Sequence, residues 1–151
     1  MDIGAYPGGW SQVSSKIITS GKVLSVDLQK IDEIEKVSFL QCDFLEEKSK
    51  EKITNFFGTR LDVILSDMAA DTTGNKSLDC IRTNQLCAEV IEFSSKCLKP
   101  NGILVSKLFM GEDFLQVKEL ARAKFKKVQF FKPEASRTES QETYVHSAIL
   151  N

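Results

Sequence analysis

Asp2-Ile3-Gly4-Ala5-Tyr6-Pro7-Gly8-Gly9-Trp10-Ser11-Gln12 stands almost at the start of the chain. It reads as the end of a strand, a glycine-rich turn and the beginning of a helix. Glycine lets the backbone turn sharply and approach a ligand closely, and the first turn of a helix presents N–H groups with no partner inside the helix. Such an architecture suits nucleotides and nucleoside-like cofactors. It is not the GxGxxG dinucleotide fingerprint, because Tyr6 and Pro7 sit inside the turn. A nicotinamide enzyme is therefore the weakest reading.

Outward from that turn, strand and helix patterns alternate. Residues 9–19 predict a helix and 22–27 a short buried strand ending in the carboxylate of Asp27. Residues 37–40 predict the next strand, with Gln41-Cys42-Asp43-Phe44 as its exit. A helix over 46–57 carries Ile53, Phe56 and Phe57 at helical spacing and stops at Gly58. Leu61-Asp62-Val63-Ile64-Leu65-Ser66 has the near-continuous apolar run of a parallel strand, leading into Asp67 and a polar loop over 71–76. A long helix over 79–98 follows, closed by Lys99-Pro100-Asn101-Gly102 as a chain-reversing stop. Residues 103–108 predict a buried strand, 113–125 a helix, and 127–131 and 143–150 two more strands. This alternation predicts an α/β fold with a Rossmann-like, mostly parallel doubly wound sheet whose first strand is largely missing. Ligands of such sheets bind beyond the carboxyl ends of the strands.

The chain has 151 residues, 42% of them hydrophobic, which is enough for one domain over residues 1–151. No apolar run has the length of a bilayer span and the start is not a signal peptide, so a cytoplasmic protein without a membrane partner is expected. The four cysteines, Cys42, Cys80, Cys87 and Cys97, form no CxxC pair and no metal cadence with the single histidine, His146. Reduced thiols and no metal are expected. Cys80 and Cys87, seven apart, fit two small apolar residues on one helix face. His146, on the last strand, reads as packed or solvated rather than catalytic.

The net charge is -1, yet ten of the basic residues lie between Lys96 and Arg137. Only four acids share that span, Glu112, Asp113, Glu119 and Glu134, with Glu139 just beyond. A charge run is usually a solvated face, so this one permits an RNA partner without requiring it.

Four strand ends carry candidate chemistry. Asp27 is placed to accept ribose hydroxyls, although nicotinamide enzymes share that feature. Asp43, beside Phe44, is placed to bond a base amino group while the ring packs near the base; alone, it reads as a loop acid. Asp67 and Lys107 each terminate a buried strand on one sheet edge and are expected to meet in one cleft. A lysine at such a place, taken singly, reads as one that snorkels to solvent. Glu142 opens the last strand and is placed to join them.

Taken together these residues resemble the RrmJ/FtsJ family of S-adenosylmethionine-dependent ribose 2'-O-methyltransferases, and specifically its bacterial large-subunit rRNA members. The likeness covers nearly the whole chain. It rests on the glycine turn, Phe39-Leu40-Gln41-Cys42-Asp43-Phe44, Leu65-Ser66-Asp67-Met68-Ala69, Lys107-Leu108-Phe109-Met110-Gly111-Glu112, and Lys132-Pro133-Glu134-Ala135-Ser136-Arg137 with Ser140-Gln141-Glu142-Thr143-Tyr144.

The resemblance implies S-adenosyl-L-methionine as cofactor, contacted by Gly8, Trp10, Asp27, Asp43, Phe44 and Asp67, with Gly4 and Gly9 shaping the turn. It also implies a Lys-Asp-Lys-Glu catalytic set, of which Asp67, Lys107 and Glu142 match the last three. The first lysine, upstream of the glycine turn in the family, has no match here. The chain thus reads as N-terminally truncated, through a misassigned start or a cut, or as one that pairs with another chain where its first strand is short.

The activity implied is 2'-O-methylation of a uridine ribose in large-subunit (23S) rRNA, with the ribosomal subunit as partner. Related tRNA ribose methyltransferases share the catalytic set, and a non-catalytic cofactor- and RNA-binding remnant is the other alternative. No oligomeric state follows from these motifs. The implied chemistry gives Lys107 the 2'-hydroxyl proton. An apolar strand end favours its neutral amine, whereas neighbouring Asp67 and Glu142 favour a cation that orients the hydroxyl.

Overall fold

The computed structural model describes residues 1–134, 136–137 and 140–151. Ala135 of the Lys132–Arg137 motif and the acidic Glu139 lie outside the described residues. The elements run β1 Asp2–Ile3, α1 Gly9–Ile17, β2 Val23–Asp27, β3 Val37–Gln41, α2 Glu47–Phe57, β4 Leu61–Ser66, α3 Lys76–Cys97, β5 Leu98–Phe109, α4 Phe114–Lys124, β6 Phe125–Phe131 and β7 Glu142–Leu150.

One sheet of seven strands joins them in the order β3-β2-β1-β4-β5-β7-β6. The pairs from β3 to β5 are parallel, and β7 runs antiparallel between β5 and β6. The strand order reverses beside β1, so the crevice beyond the carboxyl ends opens there. Short as it is, β1 holds the centre: Asp2 pairs with Ser25 and Leu65, and Ile3 with Val26 and Ser66. The pairing continues back through Met1, whose amine donates to the Val63 carbonyl at 3.0 Å and whose carbonyl accepts from Leu65 N–H at 2.9 Å.

Strand alternation divides the side chains between two faces. Ile3, Leu24, Val26, Ile64 and Leu104 pack with Ile53 of α2, Val90 and Ile91 of α3, and Val117 of α4 in the main core. Asp2 and Ser25 point to the other face, where Ser11 of α1 bonds both of them. Phe44, at the exit of β3, meets Phe93 of α3 edge to face at 5.3 Å. Cys80 and Cys87 are both buried on α3, and all four cysteines are free thiols. Among the described residues no helix is long and apolar enough to cross a membrane, and no cluster of His, Cys, Asp or Glu could hold a metal ion.

Two boundaries differ from the sequence expectation for identifiable reasons. The long helix begins at Lys76 rather than near Asp79, because the Asn75 side chain accepts the Leu78 N–H at 3.2 Å and caps it. Asp79 instead reaches back to the N–H and hydroxyl of Thr73, at 2.9 and 2.7 Å. The stop at Lys99–Gly102 lies inside β5 as an irregularity. Leu98 pairs with Leu61 and the next pair is Ile103 with Val63, so five steps on β5 oppose two on β4.

Candidate active site

The glycine turn is shaped by two residues in the left-handed region, Gly4 at φ 74° and Gly8 at φ 118°. Gly4 lies against the strand exit that follows β4: a Cβ there would sit 2.6 Å from Met68 Cγ and 2.9 Å from Met68 N. Gly8 precedes α1, and no side chain caps that helix. Gly9, its first residue, has nothing within 4 Å of where a Cβ would stand.

In front of the turn lies a cleft of about 360 Å³, lined by Gly4, Asp27, Asp43, Phe44, Asp67 and Met68 among others. This is the size of a small-molecule site. Three strands deliver its acids. Asp27 ends β2 and accepts the Tyr6 N–H at 2.9 Å and the Gln29 N–H at 2.7 Å, one on each oxygen. Each carboxylate oxygen has a second lone pair left for a ligand. Asp43 accepts the Leu45 N–H at 2.9 Å, while the Cys42 N–H donates to the Asp27 carbonyl at 3.0 Å and ties the two exits together. Asp67 follows β4, with its N–H donating to the Ile3 carbonyl at 3.1 Å.

Asp67 also faces the second group of candidates. Lys107 Nζ stands 2.9 Å from Asp67 Oδ1 and 3.4 Å from Glu142 Oε2. Only 12% of the lysine side chain is exposed, so solvent screens these contacts less than it would at a surface. The sheet explains the meeting: β4 and β5 are parallel neighbours, and antiparallel β7 brings Glu142 opposite Phe109 and Tyr144 opposite Lys107.

Tyr144 was not singled out as a site residue by sequence reasoning. Its hydroxyl donates to Asp67 Oδ1 at 2.8 Å. Burial holds its phenol well above the usual tyrosine range, and the hydrogen bond and charge of Asp67, then Glu142, add to the effect. The group is accordingly a hydrogen-bond donor throughout the working pH range. The advance signals were its place at the end of the Ser140–Tyr144 motif and two residues beyond Glu142, on the same face of a strand.

Trp10 lies apart from the cleft lining; its ring packs on Tyr144 at 5.6 Å. Asp2 is a second residue not singled out. It is 1% exposed, takes a hydrogen bond from Ser11 on Oδ2, and has no hydrogen-bond partner for Oδ1.

The sheet order, the open switch point and the acid-lined cleft define the Rossmann-like fold of S-adenosylmethionine-dependent methyltransferases. Human methyltransferase-like protein 13, solved in complex with SAH, shares it with a TM-score of 0.70 at 13% identity, over 98% of this chain and 70% of that one. The chain belongs to the FtsJ-like methyltransferase family, which it matches over residues 1–149.

Ribosomal RNA large subunit methyltransferase E of Pelagibacter ubique is 42% identical over 150 residues, 99% of this chain and 74% of the relative. The protein of that name from Rickettsia akari is 44% identical over 151 residues, 96% of this chain and 66% of the relative. A Plasmodium falciparum structure described as a ribosomal RNA methyltransferase superposes with a TM-score of 0.87 at 25% identity, covering 99% of this chain and 84% of that one. The chain thus spans about two thirds to three quarters of the curated relatives.

Proposed function

We propose that the chain transfers a methyl group from S-adenosylmethionine to a ribose 2'-hydroxyl in large-subunit rRNA, a uridine of 23S rRNA, in the cytoplasm. The observation that carries this is Lys107, held between Asp67 at the cofactor cleft and Glu142 on the far side. Ribosomal RNA as substrate is supported by the names of the relatives.

The residues present fit the cofactor. Asp27 offers spare lone pairs to ribose hydroxyls, Asp43 an acceptor for a base amino group, and Phe44 an apolar wall. Gly4 and Gly8 hold the turn open, the space over Gly9 is unfilled, and Asp2 Oδ1 is a spare acceptor beside the turn. Trp10 contributes its place in the first turn of α1. When bound, S-adenosylmethionine supplies a methyl group already activated on a sulfonium.

The protein's part is then positioning and electrostatics. An ammonium has three N–H donors, and two carboxylates engage Lys107 without exhausting them. Lys107 donates to the ribose hydroxyl oxygen, aims its lone pair and stabilises the negative charge that grows as its proton leaves to water. Asp67 and Glu142 fix the ammonium in place, and Tyr144 fixes Asp67.

The test is transfer of labelled methyl to undermethylated large ribosomal subunits, with tRNA as control. Lys107→Met is expected to lose about 10²- to 10³-fold in rate while still binding cofactor. Transfer to tRNA alone would move the substrate to tRNA. Intact cofactor binding with no transfer to either RNA would make this chain a binding remnant, and restoration by an added upstream segment bearing a lysine would trace the loss to that segment.

A further inference from the structure

Beside the catalytic cluster lies a second hollow, of about 340 Å³, lined by Trp10, Phe131, Pro133, Glu142 and Tyr144. We propose that it is a stacking site for the base of the RNA nucleotide whose ribose is modified; the proposal rests on the ribose methyltransferase reading above.

Position comes first. Asp67 lines the cofactor cleft and Glu142 lines this hollow, and Lys107 is ion-paired to both. The lysine therefore stands on the wall between two separate cavities. A ribose held at that wall has its methyl donor on one side, and its base, attached one carbon away from the reacting position, on the other.

The lining has the chemistry of a base platform. Tyr144 and Phe131 are cross-strand partners on β7 and β6, with rings stacked at 5.8 Å and 23°, and Trp10 also packs on Tyr144, tilted, at 5.6 Å and 35°. Rings that served only the core would be covered, yet Phe131 is 44% exposed. A flat, open aromatic face next to a reactive centre is how proteins hold unstacked bases, whose π-faces are tolerated whatever the sequence.

The Glu142 carboxylate in the wall of the hollow, with no cation among the described residues lining it, disfavours a phosphate as its occupant. It favours an uncharged ring with N–H donors, as a nucleobase has. Lys132, exposed and next to Phe131 in sequence, donates to the Ser140 carbonyl at 2.8 Å and so carries its positive charge outside the hollow's lining, on the side where a backbone phosphate would run. The nucleotide has to be single-stranded or turned out of its helix, since a stacked base cannot enter.

Trp10 is the only tryptophan in the chain and so reports on the site directly. The experiment titrates a short uridine-containing single-stranded oligoribonucleotide into the protein with S-adenosylhomocysteine present, following Trp10 emission, with anisotropy of labelled RNA in parallel. The expected result is a saturable change in emission. Phe131→Ala should weaken it about 5- to 150-fold, the range for loss of one stacked base, and Phe131→Tyr should restore it, with cofactor affinity unchanged in both.

RNA that binds by anisotropy without moving Trp10 emission, or Phe131→Ala binding as tightly as Phe131→Tyr, overturns the stacking site. An emission change that obeys the Phe131 series in a protein that methylates no RNA would keep the stacking site and remove the methyl transfer.

Discussion

The Tyr144 hydroxyl donates to Asp67 Oδ1 at 2.8 Å, and that same oxygen holds the Lys107 ammonium at 2.9 Å. One carboxylate oxygen thus fixes two groups, so removing one changes the placement of the other. Tyr144→Phe keeps the ring and its packing on Trp10 and Phe131 but removes the donor. A hydrogen bond to a charged group contributes about 1.5–3 kcal/mol, so single-turnover methyl transfer is expected to fall about 10- to 100-fold. Cofactor affinity should change little, and the melting temperature should fall by several degrees as that bond is lost. Equal transfer rates would show that Asp67 is held without the phenol.

Gly4 and Gly9 separate two uses of glycine. At Gly4 a Cβ meets the backbone of Met68 and φ is 74°, so Gly4→Ala should destabilise the fold by more than about 1 kcal/mol. At Gly9 nothing of the protein is near, and alanine is the better helix residue by roughly 0.5–1 kcal/mol. Gly9→Ala should therefore melt no lower than the parent. If it also binds S-adenosylhomocysteine as tightly as the parent, the space over Gly9 is not part of the cofactor site.

Asp2 gives stability a pH dependence with a definite sign. Burial holds its carboxyl above the usual range; Ser11 and the Met1 amine pull the other way, and Asp67 and Asp27 add to the rise. The folded state thus favours the protonated form. That contribution is full below the unfolded carboxyl value of about 3.9 and is lost as pH rises through the folded value. Asp2→Asn keeps an acceptor for Ser11 and never ionises. It is expected to be more stable than the parent at pH 7, with the gap closing towards pH 4. Urea unfolding at both pH values checks this, and a gap that widens on acidification would refute it.

How much of this was legible in the sequence follows from which interactions are local. Asp67 and Lys107 could be brought together from periodicity alone, because each ends an apolar strand of a parallel, alternating pattern and such strand ends share one edge. Glu142 needed more, since its approach depends on β7 entering antiparallel between β5 and β6, a choice no local pattern encodes. Tyr144, and the place of Trp10 against it, were harder still. An aromatic residue on a buried strand looks like core, and the contact of Trp10 with Tyr144 joins elements at opposite ends of the chain. The start of α3 was misplaced because Asp79 looks like a helix-start acid, whereas Asn75 holds the cap and Asp79 closes the loop before it.

Cys42 offers a chemical test of the cofactor cleft that needs no RNA. It lines the cleft and is half-buried. Burial pushes the thiols of Cys87 and Cys97 up to about 12, and raises that of Cys80 with help from Asp113 and Asp79. The thiolate is the reactive form, so at pH 8 iodoacetamide should modify Cys42 first, and the other three chiefly through unfolding. S-adenosylhomocysteine should then protect Cys42, by about tenfold when the ligand is at about ten times its Kd. Peptide mass mapping over time measures the rates. Cys42 modified equally fast with and without the ligand would mean that the cofactor does not occupy the cleft formed by Asp27, Asp43 and Asp67.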